Sequence, residues 1–219
     1  MIGSVLTMLV TMLIAFPLGV MTAVYLEEFA DDNRWSQLIE VNINNMAAIP
    51  SILFGLLGLA VFINLFGMPR SSHLVGGLTL ALLTLPIIIV SARAALRSGP
   101  DSIRQAGYGL GLTKIQVVQD HVLPLAFPGI WTGSIIGMAQ AMGETAPLII
   151  IGMIAFIPDS PSSIFEAATV MPAQIFTWAS MPERAYIERT AAGIMVLLTI
   201  LLTLNALAIY LRKKYEVKW

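Results

Sequence analysis

Glu144 is the one acid or base set well inside an apolar run of this 219-residue chain, the run from about Phe127 to Ile157. A charge at the centre of a bilayer costs on the order of 2.5–3.5 kcal/mol on insertion scales, so such residues usually face the interior of a helix bundle and mark a pathway. Gln140 stands four residues earlier, on the same face of a helix, and Thr145 follows directly. These three residues, Glu144, Gln140 and Thr145, are the expected translocation path. The competing reading is a structural carboxyl, neutral or hydrogen-bonded between helices. Hydrolytic chemistry has less support, because a lone glutamate with no partnered His, Ser or Asp is a poor catalytic constellation. His73 and His121 have no other plausible ligands nearby in the sequence, and there is no cysteine, so nothing points to a metal site, a disulfide or an iron–sulfur cluster. The Gly-x-x-x-x-Gly-Lys-Ser/Thr loop that cradles nucleotide phosphates is missing too.

The elements that hold Glu144 follow from composition. The chain is 57% hydrophobic and only 11% charged, where soluble domains carry about a quarter charged residues. Its mean hydropathy is +0.83. With a net charge of −1, nothing suggests nucleic acid as a partner. Apolar runs at about 5–26, 46–66, 74–92, 127–157 and 190–211 are each long enough to cross a bilayer, which takes about 20 helical residues. Backbone groups in lipid must be satisfied within the segment, so these runs predict helices, and the absence of alternation argues against a β-barrel. The predicted fold is an all-α membrane protein with about five transmembrane helices in a single domain, 1–219. Asn42, Asn44, Asn45 and Asn64 fall at the ends of the second run, where hydrogen bonds between helices account for them. Gly55, Gly58, Gly133 and Gly137 are expected to let helices pack closely.

Basic residues set the orientation. Arg34, the segment carrying Arg93, Arg97, Arg104 and Lys114, and the tail carrying Arg212, Lys213, Lys214 and Lys218 fall on one side. Only Arg70, Arg184 and Arg189 fall on the other. The first side is therefore assigned to the cytoplasm, which puts the N-terminus outside and the C-terminus inside. The N-terminus lacks the basic segment that opens a signal peptide. A chain starting directly in an outward-facing apolar run leads to the expectation of a further span ahead of it, with insertion directed by later segments as the alternative. The outer connection, 158–189, carries four prolines and the run Ile175, Phe176, Trp178. A short helix around 171–180 at the membrane interface is expected there, with a loop packed on the span ends as the alternative.

The inner loop, 93–126, has its own grammar. Pro100 suits the start of a helix. Asp101 to Leu110 would form that helix, and Gly111 would end it in a left-handed conformation. Thr113 and Gln116 have the spacing of a capping box for a second helix reaching about Val122, which Leu123-Pro124 would close. The loop reads as a rigid helical hairpin.

Its spacing carries a resemblance. Gln105-Ala106-Gly107, Gly111 and Leu123-Pro124 resemble, anchor by anchor, the Glu-Ala-Ala loop of type I ABC importer permeases. Gln105 stands where the family has an acid, Gly107 where it has the second Ala, and His121 where it has Ile. Ala48-Ile49-Pro50-Ser51-Ile52-Leu53-Phe54-Gly55, Gly143-Glu144-Thr145-Ala146-Pro147-Leu148 and the stretch from Met171 to Ser180 resemble segments of the phosphate-importer members. What the resemblance implies is a permease bundle whose loop, through Gln105, Ala106, Gly107, Gly111, Leu123 and Pro124, forms coupling helices docked on an ATPase. It implies as partners a second permease subunit, an ATPase dimer that binds the ATP and magnesium, an extracytoplasmic phosphate-binding protein, and the bilayer of the bacterial inner membrane. This chain would hold no cofactor and would not itself be an enzyme. The relatives usually have one more N-terminal span, and an Arg one turn before the acid, where this sequence has Gln140. A carboxylate repels phosphate, so Glu144 is expected either to be protonated or to meet a basic residue of a partner subunit, and the second is adopted here.

Two other classes stay open at this stage: a permease for another oxyanion (phosphonate, sulfate or molybdate), and a secondary transporter. The latter would need internal repeats and usually several membrane-embedded charges, neither of which is evident.

Overall fold

Helix packing places one helix, His73–Arg97, at the centre of the protein, with the others around it. The computed structural model describes residues 1–154, 157 and 163–215. Pro158, Pro161 and Lys218 of the sequence reading, and the end of the fourth run at 155–156, lie outside the described residues. In chain order the helices are α1 (Ile2–Val24), α2 (Arg34–Met46), α3 (Ser51–Gly58), α4 (His73–Arg97), α5 (Asp101–Gly109), α6 (Lys114–Val117), α7 (Leu123–Gly143), α8 (Ala146–Ile150), α9 (Met171–Ala179) and α10 (Arg184–Tyr215). Wider π-helical turns extend α1 over Tyr25–Phe29 and α3 over Leu59–Leu65, and join α6 to α7 over Val118–Val122.

Among the described residues four helices are each long and apolar enough to cross a membrane, Ile2–Phe29, His73–Arg97, Lys114–Gly143 and Arg184–Tyr215, and the bent pair Arg34–Met46 with Ser51–Leu65 makes a fifth if it is one span. The most apolar stretch of α4 is 61% buried within the chain, against 6% in α10, which makes α4 the hub and α10 a peripheral helix. α1 and α7 both pack on α4, and they meet each other where the Phe16 and Trp131 rings lie 5.0 Å apart. Small residues permit this: a Cβ on Gly133 of α7 would lie 2.4 Å from the Cβ of Ser91 on α4. With no hydrophobic drive between helices in lipid, such close approach is what holds a bundle together. Buried threonines spend their hydroxyls locally, as Thr79 does on the Val75 carbonyl (2.7 Å) and Thr84 on that of Leu80 (2.6 Å).

Three expectations from sequence change. The second run is not one straight helix from 46 to 66. α2 and the Ser51–Leu65 helix meet at 103°. Pro50 disfavours helical geometry in the residue before it, which breaks the chain at 47–50. Asn42, Asn44 and Asn45 therefore lie on α2, ahead of the bend, where no residue is buried within the chain. The fourth run is not continuous either: α7 stops at Gly143 and α8 begins at Ala146. Nor does Leu123-Pro124 close the second loop helix. The helix passes through them into the membrane as Lys114–Gly143. In the π turn the Leu123 N–H reaches back five residues to the Val118 carbonyl, and this widened turn accommodates the Pro124 ring and its missing donor.

Other expectations hold. Gly111 has φ +81, and the capping box of Thr113 and Gln116 is complete. The outer helix forms at Met171–Ala179 and packs on α10. At this end Met171 N–H donates to Ser4 Oγ (2.8 Å), and the buried His73 Nδ1 shares a hydrogen bond with Thr7 (3.0 Å). Thr113 caps the first turn of the long Lys114–Gly143 helix, so the cap bears on the order of that turn. Thr113→Ala is expected to cost about 1 kcal/mol there. Amide exchange at Gln116 and Val117, measured by mass spectrometry, should rise several-fold while exchange in α4 stays unchanged.

Candidate functional site

Glu144 sits in a helix break. Its backbone is extended (φ −71, ψ 131), and its N–H closes the last turn of α7 on the Ala141 carbonyl (3.2 Å). The break is forced from downstream: a helical Pro147 ring would clash with the carbonyl four residues back, that of Gly143. Pro147 instead starts the short α8. Thr145 Oγ1 lies 3.5 Å from the Gly143 carbonyl. Leu201, halfway along α10, lies beside Gly143, which sets the break at mid-depth of the bundle.

The structure brings two quoted segments together here. α8 packs on α3, and a Cβ on Gly55 would lie 2.6 Å from Pro147 Cα and 2.9 Å from its carbonyl oxygen. The Pro50–Gly55 stretch and the Gly143–Leu148 stretch therefore form one site. Glu144 and Thr145 are half-buried, and Gln140 is exposed. Among the described residues, no hydrogen bond or ion pair holds the side chain of Gln140 or Glu144. The three residues share a neighbourhood without contacting one another through polar atoms.

The second candidate region is the helical hairpin at the basic end. Gln105 and Ala106 are exposed, while Gly107 is buried where α5 crosses α6. A Cβ there would stand 2.7 Å from Val117 Cγ2, so the glycine lets the two short helices lie closer. Tyr108 (45% exposed), Leu110 (81%) and Ile115 (55%) project from the hairpin, an apolar surface that no described part of the chain covers. Leu123 is half-buried and Pro124 exposed at the entry to α7. At 1.5 Å per residue α7 spans about 30 Å, joining the hairpin to the Glu144 break as one rod.

Sequence reading missed an ion-pair network at this end. Glu27 takes Arg97 Nε (2.7 Å) and Arg93 Nε (3.2 Å), and Arg93 Nη1 also reaches Glu40 of α2 (2.7 Å). Glu28 takes the Arg104 guanidinium through Nη2 (2.6 Å) and Nε (3.2 Å). The hydrogen bond to Glu28 is the main cause holding Arg104 above its already high range. A signal was present: adjacent acids end one apolar run, and arginines four residues apart end another. The same contacts place the 27–40 connection and the 93–104 segment at one end of the bundle, as the count of basic residues required.

With the geometry in view, comparison with known proteins is informative. Residues 15–217 match the family described as binding-protein-dependent transport system inner membrane component. The chain is 31% identical over 96% of its length to the phosphate transport system permease protein PstA 1 of Mycobacterium tuberculosis (strain CDC 1551 / Oshkosh), covering 68% of that protein. It is 33% identical over 97% of its length to the phosphate transport system permease protein PstA of Yersinia pestis, covering 72% of it. The fold matches a chain of the MetNI methionine ABC transporter in an inward-facing conformation, with a TM-score of 0.74 at 15% identity, over 97% of this chain and 94% of that one.

Proposed function

We propose that this chain, which belongs to the family of binding-protein-dependent transport system inner membrane components, is the permease subunit of an ATP-driven phosphate importer. Several apolar helices and a multi-pass inner-membrane family agree with one another. The observation that carries the reading is the coupling of two features by a single helix. An apolar hairpin stands at the basic end, and α7 runs from it to a carboxyl group, without a polar partner among the described residues, in a helix break at mid-depth. A transporter needs contacts that differ between its states, and this rod gives the hairpin a lever on the path. The similarity to two phosphate permeases supports phosphate as the substrate.

In this reading the hairpin residues Gln105, Ala106, Gly107 and Gly111, with Tyr108, Leu110 and Ile115 projecting, dock on a PstB-like ATPase dimer, which binds ATP and magnesium. Glu144, Gln140 and Thr145 line the path against a PstC-like second permease. A PstS-like binding protein delivers phosphate to the face formed by residues 1–4, 66–73 and 166–180. The basic end, with the C-terminal part of α10, lies in the cytoplasm, and the N-terminus lies outside. The chain hydrolyses nothing itself.

The test is recovery of the tagged chain from its native membrane under mild detergent. An ATPase carrying the phosphate-cradling loop and a second permease should co-purify, and phosphate-loaded binding protein should stimulate ATP hydrolysis by the complex. Recovery of the chain alone, with uptake driven by a proton gradient, would overturn the proposal in favour of a secondary transporter.

A further inference from the structure

Arg104 is bonded to three separate parts of the basic end. Its fork meets Glu28, at the end of the α1 extension, through two nitrogens (2.6 and 3.2 Å). Nη2 also donates to the Leu96 carbonyl in the last turn of α4 (3.0 Å), and Nη1 to the Gly99 carbonyl in the α4–α5 linker (3.3 Å). Glu28 is only 8% exposed. Beside it, Glu27 grips Arg93 and Arg97 of α4. α5, the end of α1 and the end of α4 are thus closed into one ring of charge-assisted bonds.

We propose that the Arg104–Glu28 pair is the strut that carries motion of the docking hairpin into the α1–α4 pair, so that these three elements move as one body when the ATPase closes. This rests on the function proposed above. The physical ground is the asymmetry of buried ion pairs: separating one strands a charge with little water around it, whereas moving both partners together leaves the bonds intact. The planar fork also fixes direction, which a lysine in its place does not. α7 leaves the same hairpin through α6, and the wide Val118–Val122 turn between them is the joint at which it pivots. A cavity of about 460 Å³, bounded by Leu96, Arg104, Leu125 and Pro128, lies between the strut and the start of α7 and leaves room for the two levers to shift against each other.

The test uses the reconstituted complex with its ATPase, second permease and binding protein. Glu28→Gln removes the carboxylate charge and Arg104→Lys removes the planar fork, each while keeping a hydrogen-bonding side chain. Basal ATP hydrolysis should persist, while phosphate moved per ATP should fall about fivefold or more, the low end of ordinary coupling effects. A wild-type ratio in both variants would overturn the strut. A second measurement needs neither variant. The chain has no cysteine, so spin labels can be placed at Asp31→Cys with Ser102→Cys, and at Ser102→Cys with Phe127→Cys. On vanadate trapping the first distance should hold and the second should shift. Movement of the first pair, or no movement of the second, refutes the two-lever arrangement even if the fork variants fail to assemble. If the unaltered complex moves no phosphate, the substrate reading falls, and the label distances still decide the strut.

Discussion

Glu144→Gln is expected to reduce phosphate uptake about tenfold or more, while the variant still assembles with its ATPase. The substitution separates two physical states of the site. Gln has nearly the shape of a protonated glutamic acid and can donate a hydrogen bond where that acid would. Were Glu144 neutral in the working protein, the variant would reproduce it and uptake would be close to normal. The ionised role follows from the function proposed above, in which a basic residue of the second permease meets the acid. The carboxylate is half-buried in a helix break, no residue among those described pairs with it, and one side remains open to a partner. If a basic residue of the second permease meets it there, Gln leaves that cation desolvated and unpaired. Losing one partner of a buried charge pair typically costs 2–5 kcal/mol, more than the 1.4 kcal/mol that makes a tenfold effect. The measurement is initial-rate uptake of labelled phosphate in cells depending on this transporter, with complex assembly checked in parallel. Glu144→Asp, which keeps the charge and shortens its reach, should fall between the two. Uptake in Glu144→Gln equal to that of the parent would eliminate the ion-pair role.

The residues explain why some of this was legible in sequence and some was not. Long apolar runs survive translation into structure because the bilayer sets a length that short-range accidents cannot mimic, and four of the helices follow directly. The capping box at Thr113 and Gln116 and the left-handed Gly111 were legible because their geometry is local. Hydropathy failed where apolar residues continue across a break. Pro50 and Pro147 were visible, yet the windows over 46–66 and 127–157 average past them, and only backbone sterics show that the chain must turn. Pro124 misled in the opposite sense, since a widened turn let the helix run through it. The Glu27 and Glu28 network lay beyond reach for another reason. Its partners are 66 to 76 residues apart in the chain, and nothing local says which acid meets which arginine. Counting charges assigned them to one side. Only packing of α1 against α4 makes them neighbours.

The contact between Gly55 and Pro147 was equally hidden, and it leads to the second large expected effect. Both residues belong to segments that the sequence singles out, but their meeting is a property of the α3–α8 crossing. Ordinarily a methyl group added to a helix in lipid is harmless. Here it would stand 2.6 Å from Pro147 Cα, 2.9 Å from the Pro147 carbonyl oxygen and 3.1 Å from Ile150 Cβ. Two of those atoms are backbone, held by a proline ring whose φ is fixed, so no side-chain rotation relieves the clash. α3 or α8 has to shift, and α8 is tethered two residues from Glu144. Gly55→Ala is therefore expected to destabilise the protein by about 1–3 kcal/mol, as overpacking does. It should also lower uptake in proportion to how far it moves the carboxylate. Gly109→Ala is the matched control for the stability of the chain alone, because this glycine belongs to the hairpin proposed to dock on the ATPase. That glycine is also helical but has nothing within 4 Å of an added Cβ, so the change should be neutral or slightly stabilising. Thermal unfolding in detergent, read on both variants, separates a local steric block from a general intolerance of methyl groups, and phosphate uptake is read on Gly55→Ala. Parental stability and uptake in Gly55→Ala would show that α3 and α8 do not cross this closely in the assembled transporter, and Glu144 would then need a different support.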